Sequence, residues 1–407
     1  MKFKKILYLA LNFPKIGESN TLYTDLMEEF RDHGHEVYIV ASAMETGKAG
    51  LFKESGLNVL RIKTLAQRNV NLFQKGVANL LLSRQYIKAI EKNFKDIDFD
   101  LIILPTPPIT LVSVIQKIKK NIPVYLILRD IFPQNAVDLN LFSKNSPPNL
   151  YFRNLENKLY NLSDTIGCMS EGNIVYVKKH NPTLNPQKLH ILRNWQREQL
   201  IDDSADKELI KDKYDLKDKF IIFFGGNISK PQKIENIVKL ALLYKDNKDV
   251  VFFIVGKGTE KKKLVKIVED HKLEQVIVKD FLPRKDYQEL MLIANIGLVS
   301  LDERFTIPNI PSKSLSYFNS KIPVAALLDP CTDFGDWIEN EVKAGYWSLA
   351  TQPEELKVKI DTLLDNKELQ NKLGQNGYDY FIKELNPTVA YQTIIDNSLK
   401  IYSENKQ

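Results

Sequence analysis

Phe220-Ile-Ile-Phe-Phe-Gly-Gly-Asn-Ile-Ser-Lys-Pro-Gln-Lys233 is the stretch on which the fold turns. It opens with an apolar run, Phe220–Phe224, that shows no polar alternation. A strand covered on both faces of a sheet requires such a run. A glycine turn follows at once, and a helix is expected from about Lys233. The unit then recurs: Val250–Val255 leads into Gly256-Lys-Gly258 and a helix over Glu260–His271. Short apolar runs at Val276–Val278, Ile296–Val299 and Pro323–Leu327 continue the series to a mostly helical tail from Pro353.

Upstream, the same alternation has already run once. Ile6–Leu11, Val37–Val40, Leu101–Leu104 and Val124–Leu128 read as buried strands, and Thr165–Met169 and His190–Leu192 as fainter ones. A loop with Pro14, Gly17 and Ser19 precedes an amphipathic helix over Thr21–His33, stopped by Gly34. Residues 196–218 are charged and poor in large apolar groups, as a linker with a short surface helix would be. The pattern predicts an α/β protein with two parallel-sheet domains in tandem, residues 1–195 and 219–386, joined by 196–218.

Bulk composition agrees with a globular chain. Of 407 residues 43% are hydrophobic and 27% charged, which argues against disorder. Cys168 and Cys331 are too few and too far apart for a disulfide framework or a common zinc site, and read as two reduced, semi-buried thiols. The start, Met1-Lys-Phe-Lys-Lys5 followed by Ile6–Leu11, is short and closely followed by Pro14, so it reads as a strand and not an export signal. No stretch approaches the roughly 18 apolar residues of a membrane span. Net charge is +6 but uneven: residues 1–195 carry 26 Lys+Arg against 17 Asp+Glu. A basic first half suits a phosphate-bearing partner or an anionic membrane, or is simply a lysine-rich surface. It is not interleaved with aromatic residues in a nucleic-acid-binding module.

In open parallel sheets, ligands bind beyond the carboxyl ends of the strands. Four loops lie there. In Gly225–Lys233, Gly226 and Asn227 allow a close backbone approach to an anion, and Lys230 and Lys233 add charge, although tight-turn glycines with solvated lysines explain the pattern as well. In Val255–Glu260, Gly256 and Gly258 suit a sharp turn and Thr259 a helix cap. In Ile307–Tyr317, Ser312 can cap a helix that begins near Lys313. A cation in a first turn opposes the helix dipole, which an anionic ligand would justify. In Leu128–Gln134, Arg129 and Asp130 follow a buried strand, as site residues or as a surface ion pair.

Order and spacing of these pieces resemble the retaining GT-B glycosyltransferases of family 4, especially bacterial capsule and O-antigen transferases of N-acetylfucosamine-type amino sugars. The resemblance runs over nearly the whole chain. It rests on Pro14–Asn20, Asp32-His-Gly-His-Glu-Val37, Arg129-Asp-Ile-Phe-Pro133, Met169-Ser170 and Leu192-Arg-Asn-Trp195 in the first half. In the second half it rests on Gly226-Asn227, Gln232-Lys233, Gly256-x-Gly258, Phe281-Leu-Pro283, Ile310-Pro-Ser-Lys313 and Pro323-Val324. One departure stands out: the family's two glutamates fall on Pro308 and Ser316, with Glu303 nearby but out of register.

The resemblance implies two Rossmann-like domains facing across a cleft, with the helix over 387–407 returning to the first. It implies a UDP-sugar donor held by Gly226, Asn227, Lys230, Gln232, Lys233, Gly256, Phe281, Leu282, Ser312 and Lys313. Lys313 would stabilise the leaving diphosphate and Asp130 would orient the acceptor. Gly17, Glu18, Ser19 and Arg129 would hold that acceptor, an undecaprenyl-diphosphate-linked saccharide. Neither a cofactor nor a metal is implied. A cytoplasmic location, peripheral on the inner face of the membrane, would follow. The helix over Gln67–Lys92, with Leu72, Phe73, Val77, Leu80, Leu81 and Leu82 among Arg68, Lys75, Arg84 and Lys88, suits that membrane approach or packs on its own domain. Two other readings stay open: a sugar-nucleotide epimerase of the same fold, and a sugar-nucleotide-binding module without catalysis.

Overall fold

The structure is a computed structural model that describes residues 3–18, 20–44, 47–65, 72–201 and 205–404. Two compact units divide the chain. The first comprises residues 1–197 together with 386–407, and the second comprises residues 198–385.

In the first unit the elements run β1 (Lys5–Leu9), α1 (Leu22–Asp32), β2 (Glu36–Ser42), β3 (Gly50–Glu54), β4 (Leu57–Ile62), α2 (Leu72–Asn93), β5 (Leu101–Pro105), α3 (Val112–Ile118), β6 (Val124–Leu128), α4 (Gln134–Asp138), α5 (Pro147–Leu162), β7 (Thr165–Cys168), α6 (Glu171–His180) and β8 (Leu189–Ile191). The sheet order is β3-β4-β2-β1-β5-β6-β7-β8. Every pairing is parallel except β3 on β4. The central strands β5 and β6 are buried along their whole length, which is why they read as unbroken apolar runs. Helix α1 starts at a capping box, with Thr21 accepting from the Thr24 amide and Thr24 from the Thr21 amide.

The second unit holds α7 (Lys207–Lys213), β9 (Phe220–Gly225), α8 (Ile234–Leu242), β10 (Val250–Val255), α9 (Lys261–Asp270), β11 (Val276–Lys279), α10 (Arg284–Ile293), β12 (Ile296–Ser300), α11 (Lys313–Asn319), β13 (Val324–Leu328), the single turn α12 (Phe334–Asp336), β14 (Gly345–Leu349), α13 (Pro353–Leu364) and α14 (Lys367–Glu384). Its sheet, β11-β10-β9-β12-β13-β14, is parallel throughout. The last helix, α15 (Pro387–Glu404), belongs to the first unit. There Ala390, Tyr391, Ile394 and Ile395 join the core beside Phe30 and Trp195. His35 anchors it, with its Nε2 2.9 Å from the Tyr391 hydroxyl.

Three sequence expectations are corrected. The first is the cap at Ser312: its backbone is already helical (φ −62, ψ −20) and its side chain makes no cap bond. The amide and hydroxyl of Ser314 bind Pro311 O in its place. Capping needs an extended residue whose side chain folds back on the first turn, and Pro311-Ser312 does not supply one. The second is the cap at Thr259: α9 starts one residue later than expected, at Lys261, and the residue in the cap position, Glu260, makes no side-chain cap bond. The third concerns the cysteines, for Cys168 is buried and Cys331 exposed, and burial pushes the Cys168 thiol up to about 12. Where the helix over Gln67–Lys92 is described, its apolar side packs inward. Ala78, Leu82, Tyr86 and Ile90 are buried, and the Tyr86 hydroxyl donates to Ala10 O at 2.5 Å. Gln67, Arg68 and the side chains of Leu72, Phe73, Lys75, Val77 and Leu80 lie outside the described residues.

Candidate functional site

In the second unit the candidate residues gather at the carboxyl ends of β11, β10, β9 and β12. The turn after β9 and the turn after β10 lie backbone against backbone. A Cβ on Gly256 would sit 1.8 Å from Gly226 O, and one on Gly258 would sit 1.9 Å from Ile228 O. Three bonds stitch the turns together: Gly226 N to Val255 O (2.9 Å), Ile228 N to Lys257 O (2.8 Å) and Glu260 N to Ile228 O (3.1 Å). The cradle expectation is therefore revised. The amides of Gly226 and Ile228 serve the fold, and the absence of side chains at Gly256 and Gly258 is what lets the turns meet. Gly226 itself has a left-handed φ of +123 and open space where a side chain would be.

Beyond Gly226 the chain folds back on itself. The Asn227 amide donates to Ser229 Oγ at 3.0 Å, and with its amide nitrogen turned to the loop Gln232 donates to the same oxygen at 2.6 Å. Lys230 points outward as an exposed residue. Lys233 adopts a left-handed backbone (φ +39) that costs a residue with a Cβ about 1 kcal/mol. That twist leaves its carbonyl accepting from Ser300 Oγ at 3.4 Å and its amine 3.6 Å from Glu303. Glu303 is also held by the buried Asn236 at 3.3 Å. Next to it Asp302 is fully buried and clamped by Arg304 through two bonds of 2.8 and 2.5 Å. Burial opposes ionisation there, but the Arg304 bonds win and hold the Asp302 carboxyl below its usual range.

Lys313 begins α11, as its sequence position implied. Its Nζ is buried, lies 3.4 Å above the centre of the Phe224 ring, and has no hydrogen-bond partner among the described residues. Burial pushes the amine from its ordinary 10.5 down to about 7. On the rim beyond β11, Phe281 is 66% exposed and lies under the Lys257 amine, 4.9 Å from its ring centre. The adjacent Leu282 is half-buried.

In the first unit Arg129 and Asp130 follow β6. The Arg129 amide donates to Thr106 Oγ1 at 3.1 Å, which ties this loop to the one after β5. Asp130 keeps an exposed face, yet crowding by protein on its other sides raises its pKa, and Arg129 pulls it back. Tyr23, in the first turn of α1, senses both groups: burial and Asp130 raise its pKa while Arg129 lowers it. Gly17 has a left-handed φ of +87 and no neighbour where a side chain would be. Glu18 is exposed and paired with Lys15 at 2.6 Å. Ser19 lies outside the described residues.

Both halves match known families. Residues 19–195 match the model described as Glycosyltransferase Family 4, and residues 206–380 match that of Glycosyl transferases group 1. The chain is a GT-B glycosyltransferase. It is 25% identical over 271 residues to the probable glycosyltransferase WbjE of Pseudomonas aeruginosa, covering 64% of this chain and 66% of that one. A shorter match, 32% over 94 residues, links it to WcaI of Escherichia coli, a putative colanic acid biosynthesis glycosyl transferase, covering 23% and 22%. In fold it is similar to Anabaena HepE, solved in complex with UDP-glucose, with a TM-score of 0.71 at 16% identity over 96% and 98% of the two chains.

Sequence reasoning set Glu303 aside as out of register and missed Asn236 and Arg61 in this transferase. Glu303 and Asn236 lie on the same rim as Lys233, and the rule that ligands bind beyond strand ends pointed to the segment after β12. In the first unit, buried Arg61 donates to Phe13 O, to Pro14 O at 3.2 Å, and to Glu54 at 3.0 and 2.7 Å. Glu54 in turn accepts from the Ile16 amide at 3.4 Å. This pair, carried by the unforeseen β3–β4 hairpin, fixes the start of the loop that carries Gly17 and Glu18. Among the described residues no group of three or more His, Cys, Asp or Glu is arranged to hold a metal, and no helix is long and apolar enough to cross a membrane.

Proposed function

We propose that this enzyme moves an N-acetylated amino sugar from a UDP-sugar to a lipid-linked saccharide, with retention of configuration, in capsule or O-antigen synthesis. The observation that carries the donor half is Lys313. A buried amine without an acceptor is costly, and an incoming diphosphate would supply the missing partner. Lys230 and Lys233, on the neighbouring turn, add to the charge that the leaving group meets. HepE, solved with UDP-glucose, supports a uridine nucleotide donor. WcaI, named for colanic acid biosynthesis, supports an extracellular-polysaccharide setting.

In this reading the bond from the anomeric carbon to the leaving phosphate oxygen breaks. An acceptor hydroxyl oxygen forms the new bond from the same face, and its proton passes to the departing phosphate. Asp130, with its raised pKa and open face, orients the acceptor or supports positive charge on the sugar. Glu303, held by Lys233 and Asn236, supplies the acidic group that Pro308 and Ser316 lack. The acceptor is proposed to be undecaprenyl-diphosphate-linked and met at the cytoplasmic face of an anionic membrane.

The test is UDP release from a panel of UDP-sugars, with and without lipid-linked acceptor, for the wild type, Lys313→Ala and Asp130→Ala. Acceptor-dependent release, lost in both variants, is expected. Acceptor-free conversion of the donor would instead indicate an epimerase, and UDP binding without any turnover a non-catalytic module.

A further inference from the structure

The carboxyl ends of β1, β2, β5 and β6 in the first unit enclose a cavity of about 360 Å³. Among the described residues, Leu11, Met44, Pro107, Pro108, Ile109, Phe132 and Phe152 line it, with Asn12, Asn79 and Thr110 as polar members. None of these residues is charged. The size falls within the range of small-ligand sites, but the wall is unlike a saccharide site, which needs many hydrogen-bonding groups. Among the described residues the buried Thr110 hydroxyl has no hydrogen-bond partner. An occupant with an apolar body and a single oxygen would satisfy this wall.

Two further features say where such a body comes from. Phe152 belongs to an aromatic cluster with Phe132 (5.0 Å between ring centres), Phe142 (6.0 Å) and Tyr151 (5.3 Å). The neighbouring Leu141, Leu150 and Tyr151 are 57%, 58% and 44% exposed. An apolar track thus runs from the cavity to an uncovered apolar surface, which on a soluble face calls for a partner. At its other end, Phe132 shares a loop with Asp130, and that loop is bonded through Thr106 to the Pro107-Pro108 wall.

We propose that this cavity seats the first carbons of the hydrocarbon chain of the acceptor, entering from the Leu141–Leu150–Tyr151 side, with the Thr110 hydroxyl meeting the oxygen that joins chain to head group. The proposal rests on the acceptor reading given above and names the site that would recognise the lipid. It places the junction of lipid and saccharide beside Asp130. It also assigns the membrane-facing surface to the loop after α4 and the start of α5, since the described apolar side of α2 is packed inward.

The test uses full-length protein and fluorescently labelled farnesyl phosphate, followed by anisotropy, so it does not depend on knowing the donor. Met44→Asp places a charge at the 40% exposed rim of the cavity, and Asn12→Trp fills it from an exposed position. Thr110→Val removes the hydroxyl at constant shape. Met44→Asp and Asn12→Trp are expected to weaken the probe at least about tenfold, a loss comparable to exposing one apolar group. Thr110→Val should weaken it several-fold while leaving the melting temperature unchanged or raised. UDP binding should be unaffected in all three. Equal affinity of wild type and variants, or equal affinity for the probe and for inorganic phosphate, would overturn the assignment. So would variants that abolish flotation with anionic vesicles yet bind the probe normally, because the cavity would then serve the bilayer and not a single chain. Loss of UDP-sugar turnover in the wild type would count against the transferase reading alone, since the probe reports on the cavity independently.

Discussion

Lys313→Met should stabilise this enzyme and disable it. The wild-type amine carries a pKa of about 7 in the folded chain against 10.5 when free. At 1.36 kcal/mol per pH unit, keeping it charged costs the fold roughly 5 kcal/mol at most. The folded pKa lies below the unfolded one. Below pH 7 both states hold the proton, and the folded state bears the whole cost. Between about 7 and 10.5 the unfolded chain holds a proton that the folded chain has released, so stability rises with pH across that window. Methionine keeps the stem and can lie on the Phe224 ring through its sulfur. The variant should therefore gain several kcal/mol at pH 6.5, and the gain should shrink steadily toward pH 10. Urea unfolding of the second unit, followed at four pH values for both proteins, reads this difference directly. In the same samples UDP should raise the wild-type midpoint and leave the variant unmoved, because a ligand stabilises only the state it binds. A stability difference that stays flat from pH 6.5 to 9.5 would refute the buried-amine argument. An undiminished UDP effect in the variant would refute the donor role.

Gly256→Ala forces a methyl group to within 1.8 Å of Gly226 O, a backbone atom that cannot swing aside. It should cost at least about 2 kcal/mol by overpacking and strain, together with most UDP affinity, as calorimetry would show. Glu54→Ala leaves Arg61 buried without its ion partner and should cost about 3–5 kcal/mol, much of it recovered in the double variant with Arg61→Met. A double-mutant cycle by urea unfolding of the first unit measures that coupling, and near-additive losses would contradict it. Truncation after Asn386 strips Ala390, Tyr391, Ile394 and Ile395 from the core and should lower the melting temperature by at least about 10 °C, with an unchanged value as the contrary result.

The parts of the fold that were legible in the sequence are those whose cause is local. Phe220–Phe224 and Val250–Val255 announce themselves because a strand buried on both faces needs apolar residues in succession. Lys313 was legible because Pro311 and the residues after it mark a helix start. The β3–β4 hairpin was not legible. Leu51 and Phe52 are exposed edge residues with Lys53 beside them, and the buried residue that matters, Arg61, reads as an ordinary surface charge until its partners Glu54 and Phe13 O are brought to it. The caps at Thr259 and Ser312 failed for a related reason. Residue type favours a cap, but the backbone angle that enables one is set by Ile228 O receiving the Glu260 amide and by Pro311 O receiving Ser314.

Glu303 shows the same division within the site. Counted along the chain, it stands out of register with the family's glutamates, whose places hold Pro308 and Ser316. Counting assumes that the segment after β12 follows one path in every member. Here Asp302, buried and clamped by Arg304, and bonded through its amide to Pro231 O, fixes the path of that segment. That clamp turns the next residue toward Asn236 and Lys233. The left-handed backbone of Lys233, costly for lysine, brings its amine to meet Glu303. Strain at Lys233 and desolvation at Lys313 both oppose folding, and they converge on the same rim, whereas at Asp302 the Arg304 bonds more than offset burial. Costs gathered in one place are retained when a ligand recovers them, so the rim around Lys233, Glu303 and Lys313 is where a donor analogue should produce its largest stabilisation.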